Sequence, residues 1–206
     1  MAGAILIAGL LASPRVRAQE ASGLPDQMVG LQGRGGVAAL AGEGAGDVDQ
    51  PPLSHLSGSL QVRLFPSWYA ELSTFGERTL KASAPEGKTT LGIEGTTLGV
   101  RRRAAFAKSP GTRLVLGAGG GSGRVFVQGK GVEGEGASFG GGMAYVLGGL
   151  EKEVSVDNFG SAGYVGVEAL VQQYFVGEKS PFRGTGATLR VTFSFYMSGS
   201  YCSDFM

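Results

Sequence analysis

The sequence predicts an all-β chain: an antiparallel up-and-down barrel of about eight strands behind a short export leader. Three observations predict it. The amino terminus carries an apolar run too short to cross a bilayer, apolar and polar residues alternate with period two along the chain, and the connections alternate between long and short. The 206 residues include 38 glycines, over twice the usual ~7%, spread through the apolar segments as well as between them. Glycine is costly inside helices and here has no three-residue period, so helical and collagen-like chains are excluded. Apolar residues at 42% and charged residues at 17% exclude a disordered chain. A formal net charge of +1 lacks the clustered basic excess of a nucleic-acid binder.

Residues 2–12 are uninterruptedly apolar, where a spanning helix needs ~20 residues. Val16-Arg17-Ala18 then offers small residues at the −3 and −1 positions of a processing site, so cleavage is expected after Ala18. On this basis residues 1–18 are a signal peptide and 19–206 one barrel domain. No Lys or Arg precedes the run; the start codon lies farther upstream or the terminal amine alone supplies the positive charge. After Ala18 no apolar stretch approaches the length of a spanning helix, so membrane residence would have to be achieved by a closed barrel.

The clearest alternation runs from Thr188 to Phe195. Leu189, Val191, Phe193 and Phe195 fall on one face, and Thr188, Arg190, Thr192 and Ser194 on the other, because successive strand side chains point to opposite sides. Leu60, Val62 and Leu64 oppose Ser59, Gln61 and Arg63 in the same way. Between Tyr164 and Phe175 the pattern holds except at Leu170, on the polar face, and Gln173, on the apolar one. Extending the pattern gives strands over 28–40, 57–65, 67–76, 94–106, 112–127, 137–148, 161–176 and 185–197. Long loops fall at 41–56, 77–93, 128–136 and 177–184, and short turns at 65–67 and 107–111. Segment 149–160 is long for a turn, but a ninth strand would set the termini on opposite rims, so the count stays at eight.

Alternation alone does not say which face is inside: apolar-in is a soluble barrel, apolar-out a membrane one. The leader favours the membrane. So do charges of both signs on the polar faces, Arg63, Glu71, Arg101, Arg103, Glu168 and Arg190, which could pair within a narrow lumen. Phe65, Trp68, Phe106, Phe175, Phe195 and Tyr196 sit near strand ends, where aromatic girdles meet the membrane interface. Arg102 takes the lipid parity close to a turn, where its long stem could reach the interface.

With these features in place, residues 28–197 resemble the OmpA/OmpW-type outer-membrane β-barrel superfamily. The glycine-dotted strands and the Phe65-Pro66-Ser67-Trp68 turn carry the likeness, and Leu189 to Phe195 is similar to the terminal signal read by the barrel assembly machinery. The segment departs from the family pattern in one respect: eleven residues follow Phe195, ending Asp204-Phe205-Met206. The resemblance implies an outer-membrane location, contact with membrane lipid and with the assembly machinery as partners, a monomer, no nucleic acid, and a barrel without an appended peptidoglycan-binding domain.

Other motifs are set aside. Ala82 to Thr89 fits a relaxed phosphate loop, but the following Thr90-Leu91-Gly92 is not helical. Gly117 to Gly123 lacks the βαβ unit of a dinucleotide site. The single Cys202 has no internal partner and no Cys/His cluster has metal-ligand spacing. His55 and Ser57, two residues apart, would share a strand face, and Glu71 or Glu94 could complete a hydrolytic triad such as lipid A-deacylating barrels carry. However, His55 follows Pro51-Pro52 in an expected loop, and the longer signature of those enzymes is missing. The sequence therefore predicts an outer-membrane barrel with a structural, adhesive or limited solute-passage role and no catalytic site, cofactor or metal. A lipid-modifying enzyme or a soluble periplasmic ligand-binding barrel are the alternatives.

Overall fold

The computed structural model describes residues 27–43, 53–79, 82–84, 87–105, 109, 111–128, 138–156, 161–176 and 183–198. The leader with its cleavage after Ala18, together with Phe106, Cys202 and the terminal tail, lies outside the described residues. Among the described residues there are nine strands: β1 (Gln27–Glu43), β2 (Leu53–Phe65), β3 (Trp68–Thr79), β4 (Ala82–Ala84), β5 (Gly87–Ala105), β6 (Thr112–Gln128), β7 (Ser138–Val156), β8 (Ala162–Val176) and β9 (Arg183–Ser198). β4 is a three-residue strand paired only with the start of β5. The other eight pair antiparallel with their neighbours, and β1 closes on β9. The fold is thus a closed eight-stranded up-and-down barrel, as the alternation predicts, with no unpaired edge in its wall.

The register fixes its geometry. Hydrogen-bonded partners lead round the wall from Leu31 to Leu60, Leu72, Leu98, Gly120, Ala144, Gln173 and Thr185. The path returns to β1 at Ala41, ten residues farther on. That stagger is what tilted strands in a closed barrel require. At one rim Pro66 fixes φ and Ser67 takes a left-handed φ of 67°, the pair of conformations a type II turn needs. The Ser67 carbonyl accepts from the Arg103 amide at 2.8 Å, tying this turn to β5.

Three boundaries differ from the sequence expectation by four residues or more. β5 begins at Gly87 and not at 94, so with β3 running to Thr79 and β4 between them most of the expected loop 77–93 is strand. β2 begins at Leu53, so His55 is a strand residue and not a loop residue. β7 runs on to Val156, which resolves the overlong turn at 149–160: most of it is strand, paired with β8 from Glu153 to Gly141 and beyond the irregularity at Glu153/Ser155. Pro51-Pro52 obscured the start of β2, and Gly148-Gly149 with the charges of 151–153 the end of β7, though the parity of both fits a strand.

Side-chain direction divides the molecule. Inside lie Gln32, Arg34, Gln61, Glu71, Glu77, Arg101, Arg103, Glu151, Glu168 and Arg190, all buried. Outside, Leu56 is 73% exposed, Leu98 65%, Phe193 61% and Leu189 57%. A water-soluble barrel has the opposite arrangement.

Candidate functional site

Among the described residues, most of the buried charged side chains converge in the interior, which is built in three tiers. Nearest the short turns, Arg103 sits among three tyrosine rings, 3.7 Å from the centroid of Tyr196, 4.5 Å from Tyr164 and 5.5 Å from Tyr69. Its charge meets the Glu151 carboxylate as well as the electron-rich ring faces. Tyr196 and its two neighbours meet edge-on at 5.6 and 5.7 Å, and its hydroxyl donates to Gln61 Oε1 at 2.5 Å.

The middle tier holds three guanidiniums and two carboxylates. Glu168 accepts from Arg101 Nη1 at 2.5 Å and from Arg190 Nη2 at 2.8 Å, with Arg34 Nε 3.7 Å away. Glu71 lies 2.6 Å from Arg34 Nη2 and 2.8 Å from Arg101 Nε. Gln61 donates to both Gln32 and Glu71, at 2.8 and 2.9 Å. A buried ion needs this density of partners, since desolvation alone would cost several kcal/mol per charge.

The third tier centres on Glu77. It accepts from Gln172 at 2.8 Å, from Tyr174 Oη at 3.0 Å and from Thr188 at 3.3 Å. His55 Nδ1 lies 3.0 Å from it, and His55 Nε2 lies 3.0 Å from Ser57 Oγ. Ser57, His55 and Glu77 thus have the connectivity of a Ser-His-Glu triad. The carboxylate is Glu77, not Glu71 or Glu94 as the sequence suggested, because β3 pairs Glu77 with His55 directly. Above this tier Ile93, Val125, Met143 and Tyr174 form an apolar cluster, with Leu40, Phe75 and Phe139 packed against it. The cavity beside His55, bordered by Arg34, Glu71, Tyr145, Gln172 and Arg190, is about 20 Å³, room for about one water.

Of the sequence-predicted lumen charges, Glu71, Arg101, Arg103, Glu168 and Arg190 lie in this network. Arg63 shares their parity but is half-buried at the turn rim, where its Nε reaches the Phe65 carbonyl at 3.4 Å. Among the aromatics, Phe65, Phe175 and Phe195 stand outside the wall, and Trp68 lies at the turn rim with the Arg102 guanidinium 5.8 Å from its centroid. Tyr196 is a correction. It follows the outward Phe195 by one residue, so the pleat turns it inward, where it is fully buried. The sequence reading missed Arg34, Glu77 and Glu151, and placed His55 in a loop. Parity with Gln32 and with Glu71 signals the first two; Glu151 was lost, and His55 misplaced, with the strand boundaries.

No protein-family model and no curated protein sequence matches the chain. Among solved structures, it is similar to Neisserial surface protein A at 12% identity and a TM-score of 0.55, over 82% of this chain and 96% of that one. It also matches the N-terminal barrel domain of Pseudomonas aeruginosa OprF, at 16% identity and a TM-score of 0.49, over 83% and 99% of the two chains. Ail of Yersinia pestis matches at 11% identity and a TM-score of 0.44, over 82% and 96%. Strand number, antiparallel closure and the likeness to the Neisserial protein agree, and the chain has the fold of the small eight-stranded outer-membrane β-barrels.

Proposed function

We propose that the chain is an integral outer-membrane protein with a structural or adhesive role, neither an enzyme nor a diffusion pore. The inversion of the barrel carries this reading: a wall of exposed leucine, valine and phenylalanine encloses buried, paired charges. In water such an exterior would drive aggregation, whereas in a bilayer it is the required surface. The packed interior argues against solute passage, since Arg103 with its tyrosines and the apolar cluster around Met143 occupy the barrel at different heights. Cell fractionation tests the proposal. The protein is expected with the outer membrane and with heat-modifiable migration on a denaturing gel; recovery in the soluble periplasmic fraction without detergent would overturn it.

The Ser57-His55-Glu77 constellation favours a second reading, a lipid-modifying enzyme. Its surroundings weigh against that. Ser57 faces the interior and is buried, the adjoining cavity is about 20 Å³, and an acyl substrate would have to replace packed side chains to reach it. The three residues are better read as satisfying one another's polar groups in a site without bulk water. Mass spectrometry of lipid A after overexpression is expected to show no change; a deacylated species that disappears with Ser57→Ala would establish the enzyme instead.

A further inference from the structure

Among the described residues the outer wall is mostly apolar; apart from the hydrogen-bonded Gln173 and Thr185, one sector carries polar and charged side chains. On three adjacent strands, Thr74, Thr96 and Ser122 are register partners and all point outward. In the next outward row toward the long loops, Glu94 pairs with Arg124, whose Nε donates to Glu94 Oε1 at 2.5 Å. Beyond them Arg78 is exposed, its guanidinium 6.0 Å from the Phe126 ring. Toward the short turns the same strands revert to Leu72, Leu98 and Val100. The polar sector therefore lies where the apolar band ends on the long-loop side. A shallow, open notch of about 480 Å³ lies here, lined from the outer face by Thr74, Glu94, Thr96, Ser122 and Arg124, with Gly95 and Gly123 in the wall behind it.

We propose that this notch binds the phosphate of a membrane lipid headgroup. Resting on the membrane reading above, the assignment follows from three features. Arg124 in the notch and Arg78 one outward row beyond it provide charge-assisted donors suited to phosphate oxygens. Three hydroxyls line the floor and can donate to the remaining oxygens or to the headgroup's own polar groups. The adjoining leucines and valines give the lipid's chains an apolar wall directly below. Glu94 pairs with Arg124, whose side chain remains 61% exposed. A carboxylate beside the site lowers its net charge, so Arg78 is the second cation that makes the sector positive.

Native mass spectrometry of the full chain, released from non-ionic detergent micelles, tests the proposal with phosphatidylglycerol and with diphosphoryl lipid A as probes. The unaltered chain is expected to retain one lipid, and the Arg78→Ala/Arg124→Ala variant to bind it about tenfold or more weakly. Arg102→Ala, which removes an outward-parity cation at the opposite rim, is expected to leave binding unchanged. Equal binding by the double variant overturns the proposal, as does an equal loss with Arg102→Ala, which would mean diffuse charge attraction. Undiminished binding of dephosphorylated lipid A, or displacement of the lipid by inorganic phosphate alone, overturns it too. Fractionation and heat-modifiable migration of each variant separate the two readings. A soluble chain sinks the membrane assignment, while an inserted chain with unaltered lipid retention sinks only this one.

Discussion

At the scale of single residues, the interior depends on charges that cannot be removed one at a time. Glu168 touches Arg101 and Arg190 directly and lies near Arg34. Glu168→Ala leaves three buried guanidiniums facing Glu71 alone. The expected cost is about 3–5 kcal/mol, read as a lower urea midpoint for unfolding in detergent with the slope unchanged. Replacing a cation at the same time, Glu168→Gln with Arg190→Met, is expected to recover much of the loss, since an apolar substitute for a complete ion pair is often neutral or better. Ser57→Ala differs in kind. It removes one hydroxyl from His55 Nε2, which still has Arg190 Nη1 at 3.5 Å, and an expected loss of about 1 kcal/mol would be measured by the same unfolding curve.

At the scale of elements, glycine has two unlike uses. β6 places glycine at its inward positions 117, 119, 121 and 123. A Cβ at Gly119 would lie 2.5 Å from the Leu98 carbonyl oxygen and 2.8 Å from the Tyr145 ring, so these residues let the strand pass close to its neighbour while Tyr145 lies across it. Gly35, on the outer face of β1, has nothing within 4 Å of that position. Gly119→Ala is expected to destabilise by about 1–3 kcal/mol through overpacking, and Gly35→Ala to stay within about 0.5 kcal/mol. Comparison of the temperatures at which heat-modifiable mobility is lost would show the contrast; equal shifts would refute the packing account. The alternation of β9 was legible because both faces are uniform in character. That of β2 and β7 was less so, because Pro51-Pro52 and the charges of 151–153 resemble loop composition while their parity obeys the sheet.

At the scale of the molecule, the inverted barrel makes a prediction that separates lipid from water. Leu98 lies on β5 between Glu94 and Arg102, far from both rims, and is 65% exposed. On a soluble barrel an arginine at such a position would change stability by less than about 0.5 kcal/mol. On a lipid-facing wall Leu98→Arg is expected to cost about 2–4 kcal/mol, measured by reversible unfolding in lipid vesicles. Planar-bilayer recordings belong to the same scale. The filled interior is expected to pass no porin-like current, and conductance at that level would mean that the tiers of side chains open together.

The sequence by itself determined the class of this protein: period two fixes strands, the parity of each strand fixes two faces, and the alternation of long and short connections fixes an up-and-down order. These properties are local, set by the pleat and by turn chemistry, and so can be read one segment at a time. Only the tertiary structure decided which carboxylate meets which cation. Arg34 and Glu71 are far apart in the chain and on different strands, and the pairing of Glu77 with His55 follows from register across β2 and β3. The same holds on the outside, where Thr74, Thr96 and Ser122 are unremarkable in three separate strands. They become one polar row when hydrogen bonds between β3, β5 and β6 bring them level, because register is a property of paired strands and no single strand contains it.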